Sequence, residues 1–451
     1  MVDERIDLNI ADALTLGHDL NQRARFEEAL PIFEAIAKAE PSNTQAAGAI
    51  GMCLTELGRD EEALPWFDRA MALLRNELIA ITSNRGKALG ELGRTQDAFD
   101  CFNHILRTDP NNALALYNRG LMLMQGGNYR HAINDFDEAL KRDPGNAKAL
   151  FGRGFANLVL GNYEDGFRDY EFRLKDLIEE PKADLWTGEQ LLDGKTILVH
   201  GEQGHGDDIM FMRYVPLMVK LGARVYLVLH PGVRPLFEGM PGTTMLSEDR
   251  ATWPPFDYWV RMMSLARCFK TTATSVPPPV HLSTIPPLAA SGKIFRVGLC
   301  WAGSPKSRYD KHRSIPLHLI EPLLHIPNTL VYSLMQEVRV SDREAFDRLK
   351  ATHIVDGGAF LDFRDTATAM FALDHVVTVD TSVAHLAGTM GIPTSIMLTA
   401  FRTYWLWIEK RTTSPWYPSA RLYRQTTDGD WASVITAVAA DIRHRSSMKA
   451  A

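Results

Sequence analysis

A 34-residue period limits this chain more than any other feature of its sequence. A small residue recurs at Ala29, Ala63, Ala98, Ala132 and Gly166, in steps of 34, 35, 34 and 34. A glycine column runs Gly58, Gly93, Gly127, Gly161, with Ala24 in its place in the first unit. Aromatic rings recur at Phe33, Phe67, Phe102, Phe136 and Tyr170, and Pro41, Pro110 and Pro144 close units. Self-similarity at this period means stacked supersecondary units, each unable to bury its apolar face alone. Every unit reads as two amphipathic helices with small residues where they cross. Five units over residues 8–174 suffice for a continuous core.

These columns resemble the tetratricopeptide (TPR) repeat. TPR arrays carry no chemistry of their own and hold partners in a groove. Asn84 and Asn118 stand 34 residues apart at the sixth position of the first helix of their units. A side-chain amide there donates to and accepts from a peptide backbone at once. The pair is similar to a short form of the asparagine ladder in O-GlcNAc transferase, although Thr15, Ala49 and Gly152 hold the equivalent places elsewhere. Tyr117 stands beside it, either as an apolar contact for a bound chain or as core between repeats. The competing reading of both asparagines is a solvated helix face.

At 451 residues the chain has room for two or three domains, and 45% hydrophobic with 23% charged residues is ordinary globular composition. There is no apolar run of membrane-spanning length, and the acidic start MVDERIDLNIADALTLG lacks a signal-peptide core. Cys53, Cys101, Cys268 and Cys300 are far apart without CxxC spacing. They read as buried thiols of a cytoplasmic protein, with neither metal nor disulfide role. The net charge of -6 divides into about -10 over residues 1–180 and about +4 over 181–451. An acidic front half is not made for nucleic acid; the mildly basic remainder suits an anionic small ligand or is scattered surface charge.

Beyond an irregular linker at 175–194, strand and helix patterns alternate, which predicts doubly wound parallel sheets: an α array followed by α/β domains at 195–288 and 289–451. In the first, a strand at Thr196–His200 meets a turn with Gly201, Gly204 and Gly206. A helix then starts near Asp207 and Asp208. Either aspartate caps that helix or serves as a general base, with His205 the runner-up. A proline-rich hinge (Pro277–Pro279, Pro286, Pro287) separates the domains. In the second, strand 296–301 runs into a loop holding Lys306, Arg308, Lys311, His312 and Arg313. That cluster either neutralises a diphosphate or is a solvated basic loop. The stretch Val376–Pro393 reads as strand, tight polar turn and helix. Its turn, Asp380-Thr381-Ser382, offers free N–H groups, two hydroxyls and a positive helix end, an anion site by design or a plain cap. The aromatic segment Trp405–Tyr417 either stacks on a base or packs against a neighbouring element.

From about Leu185 onward the stretches GEQGHGDDIMFMRY, VGLCWAGSP, RSIPL, VDTSVAHLAGTMGIPT, SPWYPSARLYRQ and GDW resemble the bacterial TPR-linked glycosyltransferases of the heptosyltransferase type, which have the GT-B fold. The layout is also similar to O-GlcNAc transferase and to the TPR-bearing flagellin glycosyltransferases. The resemblance implies a metal-independent transferase with no cofactor, taking its sugar from a nucleotide-sugar donor. It puts the acceptor base on Asp207 and the diphosphate turn on Asp380, Thr381 and Ser382, with His385 one helical turn on. Arg313 takes the place of the phosphate-contacting lysine, three before Pro316; Gly206 and Lys306 complete the expected nucleotide and phosphate set. Three departures accompany it: Asp208 where many relatives have a small hydroxyl residue, a first domain of only about 90 residues, and Ser382 where the turn has glycine. The expectation is sugar transfer to Ser or Thr of a polypeptide held by the array through Asn84, Asn118 and Tyr117, with flagellin the acceptor by analogy. The alternatives are a scaffold that has lost catalysis and a transferase acting on a glycan or lipid.

Overall fold

The computed structural model describes residues 9–450 except 74–77, 175–180, 283–291, 306–309, 358–359 and 401–402. The chain divides into two compact units, residues 1–156 and 157–451.

The first unit is a helical array: α1 (Ile10–Gln22), α2 (Phe26–Ala39), α3 (Thr44–Glu56), α4 (Asp60–Leu73), α5 (Leu78–Glu91), α6 (Thr95–Thr108), α7 (Ala113–Gln125), α8 (Tyr129–Arg142) and the start of α9 (Ala147–Leu160). Asparagine side chains open the first helix of several repeats: Asn9, Asn43, Asn112 and Asn146 accept from Asp12, Ala46, Ala115 and Ala149 N–H at 2.9–3.0 Å. The glycine column turns each helix pair. Gly58, Gly93 and Gly127 have φ of 72°, 77° and 76°, and Ala24 adopts 56° in the first unit, a conformation that strains a Cβ. Phe33, Phe67, Phe102 and Phe136 are fully buried. Each ring lies on a glycine of the facing helix: a Cβ on Gly17, Gly51, Gly86 or Gly120 would come within 2.5–2.7 Å of it. A further column staples neighbouring helices. Arg85 reaches Asp68 and Cys101, Arg119 reaches Asn103 and, in bidentate fashion, Asp135, and Arg153 reaches Asp137.

The second unit begins with the end of α9 and with α10 (Tyr163–Tyr170), then carries two parallel sheets. The first has strands β1 (Asp184–Leu185), β2 (Thr196–His200), β3 (Arg224–Val228), β4 (Thr243–Met245) and β5 (Tyr258–Arg261) in the order β1-β5-β2-β3-β4. Its helices are α11 (His205–Phe211), α12 (Val215–Lys220), α13 (Arg234–Phe237) and α14 (Leu265–Cys268). The second sheet has β6 (Phe295–Cys300), β7 (Thr329–Ser333), β8 (Ile354–Val355), β9 (His375–Val379), β10 (Thr394–Leu398) and β11 (Ala420–Arg424) in the order β11-β10-β9-β6-β7-β8. Helices α15 (Asp310–Arg313), α16 (Glu321–Leu324), α17 (Arg343–Leu349), α18 (Phe363–Met370), α19 (Ser382–Thr389) and α20 (Trp431–Ala450) accompany it. Every residue of β9 and β10 is buried, as expected of central parallel strands covered on both faces.

The expected layout, a TPR-like helical array followed by parallel α/β sheets, is the observed one. Three details differ. The segment read as linker supplies β1, which pairs with β5 through Asp184↔Tyr258. Residues Ala420–Arg424, for which the sequence reading named no element, form an edge strand, β11. The array read as ending at 174 gives its last helix, α10, to the unit that holds the sheets. The reason lies in the aromatic segment 405–417. Trp405 and Trp416 are fully buried. Trp405 meets Tyr163, Phe167 and Tyr170 at 5.4–6.3 Å, and Trp416 Nε1 donates to Tyr163 Oη at 2.7 Å. That segment packs on a helix, which is where its apolar area is satisfied. Among the described residues no helix is long and apolar enough to cross a membrane.

Candidate functional site

Helix α11 of the first sheet packs on α19 of the second, and the contact depends on a glycine. A Cβ on Gly206 would sit 2.6 Å from His385 Cδ2. Gly206, expected beside a phosphate, therefore serves the close approach of two helices. His385 is buried, accepts or donates through Nδ1 to Tyr417 Oη at 3.0 Å, and lies 5.7 Å from the Trp407 ring. Burial pushes its pKa down to about 3, so it is a neutral ring at physiological pH.

Asp207 stands at the start of α11. Its Oδ2 accepts from Gly204 N–H at 3.0 Å and its Oδ1 from Tyr404 Oη at 2.6 Å. Burial raises its pKa to about 7 against the pull of those two donors. Asp208, the neighbour that departs from the resemblance, is fully buried. Its Oδ2 accepts from both the backbone N–H and the Nδ1 of His230, at 2.9 and 2.8 Å. That pair ties the turn after β2 to the end of β3 and, through its hydrogen bond, raises the His230 pKa. His205 is exposed, 5.1 Å from the His230 ring and 5.4 Å from Phe363. Glu202, earlier in the same turn, is paired with the buried Arg173 at 2.5 and 2.9 Å, and also accepts from Met263 N–H.

On the other sheet, β9 ends in the turn Asp380-Thr381-Ser382 and α19 begins. The first N–H groups of a helix lack intrahelical partners. Arg313 lies beside this helix start, with Nη1 donating to Asp380 O at 2.9 Å. Among the described residues its buried Nε has no hydrogen-bond partner, the Asp310 carboxylate standing off at 3.7 Å. The guanidinium lies against Gly303, where a Cβ would be 2.5 Å from Nη2. The Asp380 carboxyl accepts from Tyr404 N–H at 3.4 Å, and burial raises its pKa. A carboxylate repels phosphate, so Asp380 holds the turn and its neighbours. Thr381 is buried, and its hydroxyl faces Thr378 Oγ1 at 3.3 Å and Cys300 Sγ at 3.8 Å. The expectation that this hydroxyl would meet a phosphate is not met, because the side chain fills the space behind the turn. Ser382 opens α19 and is half-buried. Lys306 and Arg308 lie outside the described residues.

The array residues separate. Asn84 is half-buried on α5. Asn118 is buried, and its Nδ2 donates to Ser83 Oγ at 3.1 Å, so the amide expected to meet a bound chain bonds inside the repeat stack. Tyr117 packs on Phe136 at 6.0 Å, which is the core reading. Surface crevices of about 660 and 380 Å³ lie at equivalent places in successive repeats of the array; Arg153 lines the first and Arg119 the second, and Asn84, Asn118 and Tyr117 line neither. Among the described residues no group of three or more His, Cys, Asp or Glu is placed to hold a metal.

Sequence reading missed Tyr404, Gly303, His230 and the Arg173–Glu202 pair. The signal for His230 was its place directly after a strand; the others carry no local pattern.

Family models of the tetratricopeptide repeat match residues 113–146, and also 14–75 and 83–129. The array is built of TPR repeats. Over 291 residues the chain is 28% identical to Protein FlbA of Caulobacter vibrioides; the match spans 57% of this chain and 48% of FlbA, about half that relative's length. Solved structures similar to the chain include a tetratricopeptide repeat protein of Parabacteroides merdae, 26% identical over 37% of this chain and 66% of that one, TM-score 0.31. A thermophilic TPR protein of Thermus thermophilus is 20% identical over 38% and 92%, TM-score 0.34.

Proposed function

We propose that the chain is a GT-B glycosyltransferase that moves a sugar from a nucleotide-sugar donor to a hydroxyl of a polypeptide acceptor. The observation that carries this reading is Arg313 seated on the Asp380 carbonyl at the N-terminus of α19. A guanidinium whose Nε has no hydrogen-bond partner among the described residues, beside the positive end of a helix, matches a leaving diphosphate and stabilises its developing charge without a metal. Asp207 is the proton acceptor in this reading. A carboxyl with a pKa near 7 suits general-base work at neutral pH, and each oxygen keeps a lone pair beyond the bond it accepts. The TPR array supplies the polypeptide side, since repeats of this kind present a partner-binding surface.

A binding-only scaffold is the second reading, favoured by the fact that both Asp207 oxygens already accept hydrogen bonds. Thermal-shift measurements with UDP, GDP, ADP and CMP test the donor site. One nucleotide should raise the melting midpoint of the wild type, and Arg313→Ala should lose most of that rise. No shift with any nucleotide would overturn the donor site. A shift that persists in Asp207→Asn, with no sugar transfer from the wild type, would establish the scaffold.

A further inference from the structure

Tyr404 touches both halves of the site. Its phenol donates to Asp207 Oδ1 at 2.6 Å, and its backbone N–H points to Asp380 Oδ2 at 3.4 Å. The first contact is a short hydrogen bond to an acid, the stronger kind. We infer that Tyr404 is the positioning residue for proton transfer at Asp207, fixing the carboxyl and setting how readily it takes a proton. The catalytic part of this inference rests on the transferase reading; the coupling of phenol to carboxyl does not.

Three observations support it. Tyr404 is anchored by the next three residues: Trp405, Leu406 and Trp407 are fully buried, and Trp405 is packed against Tyr163, Phe167 and Tyr170. The phenol is therefore delivered from a rigid backbone. The other Asp207 oxygen is held by Gly204 N–H, so the carboxyl is fixed from both ends. Finally, the acid sits among groups that oppose its ionisation. Burial, Asp208 and Glu202 raise its proton affinity, and the hydrogen bonds from Tyr404 and Gly204 lower it. Tyr170, Tyr417 and His230, on other elements, also feel its charge. Tyr404 is the side-chain donor that keeps the acid able to ionise near neutral pH.

The step is simple. The acceptor hydroxyl gives its proton to Asp207, its oxygen bonds to the sugar's anomeric carbon, and the nucleoside diphosphate leaves with the electron pair of the broken C–O bond. Tyr404 keeps its own proton throughout and shares Oδ1 with the acceptor.

Tyr404→Phe keeps the ring and the backbone N–H and removes only the donor. In full-length protein carrying carboxyl-13C aspartate, with the signal assigned by Asp207→Asn, the Asp207 titration midpoint should rise by about one pH unit. The acidic limb of the transfer rate should rise with it, while the nucleotide-induced thermal shift is retained. Incorporation of 3,5-difluorotyrosine at position 404, a stronger donor, should move the midpoint the other way and serves if the phenylalanine variant does not fold. A midpoint that stays or falls in Tyr404→Phe, or ignores the fluorinated phenol, overturns the inference. So does a transferring wild type whose acidic limb ignores the substitution. A midpoint that moves as expected, with no transfer by any protein, overturns the transferase reading and leaves the coupling standing.

Discussion

The Asp207 carboxyl has a pKa of about 7 where the ordinary value is 3.8. Between those values the folded state holds a proton that the unfolded state has released, so stability falls as pH rises through this window. Below about pH 4 both states are protonated; above about pH 7 both are ionised and the full penalty of the buried charge is present. Asp207→Asn removes the titration. Its melting midpoint, relative to wild type, should therefore climb between pH 4 and 7.5; a pH-independent difference would refute the raised pKa. Neighbouring His230 runs in the same direction, its pKa raised by the hydrogen bond to Asp208. Its contribution is complete below the unfolded histidine value of about 6.5 and is lost as pH rises through the folded one. That Asp207 heads a helix was readable from the glycines before it. That both its oxygens are already bonded was not, since one donor comes from a residue 197 positions away.

At the scale of elements, glycines decide which helices can touch. Gly120 lies under Phe136, and a Cβ there would be 2.7 Å from the ring. Gly120→Ala should cost about 1–3 kcal/mol by overpacking, seen as a lower midpoint in chemical denaturation. The same substitution at Gly58, Gly93 or Gly127 is strained for another reason, the positive φ of the turn. The turn glycines were legible as a column. The helix-interior ones, Gly17, Gly51, Gly86 and Gly120, keep the same period in steps of 34, 35 and 34, and went unread because an interior glycine looks like noise until the ring above it is known. At the α11–α19 crossing, Gly206→Val should lower the melting midpoint and release the His385 ring, because that Cβ would overlap Cδ2. The glycine turn itself is plain in sequence, yet its reading as a ligand seat fails at Gly206.

Across the second unit, a buried ion pair joins the 3-10 turn that follows α10 (Glu171–Leu174) to the turn that opens α11. Arg173 and Glu202 are each 1% exposed in their side chains, and Ser264 Oγ accepts a further bond from Arg173. Burial opposes the Arg173 charge, but Glu202, Glu171 and Tyr170 together more than offset it. Arg173→Met leaves Glu202 charged and unpaired in the interior, which should cost about 3–5 kcal/mol. The double variant Arg173→Met with Glu202→Leu should recover much of that loss, because the penalty belongs to the orphaned charge. Additive losses would refute a pairwise interaction.

The division between sequence and structure follows from range. The repeat array and the alternation of strands with helices are local periodicities, 34 residues, 3.6 and 2, and each is written in consecutive side chains. Sequence alone therefore determined the TPR array, the parallel α/β sheets and the two turns that head α11 and α19. Tertiary structure decided which of those turns meet and what they meet. The order of strands in the sheets brings Tyr404 to Asp207 and Arg313 to Asp380, contacts spanning 197 and 67 residues. Packing within the array buries Asn118, and packing behind the β9 turn buries the Thr381 hydroxyl, both of which the pattern alone had left free to bind. No periodic signal records such contacts, because they depend on how unlike segments pack, and packing is settled by shape and burial over the whole unit.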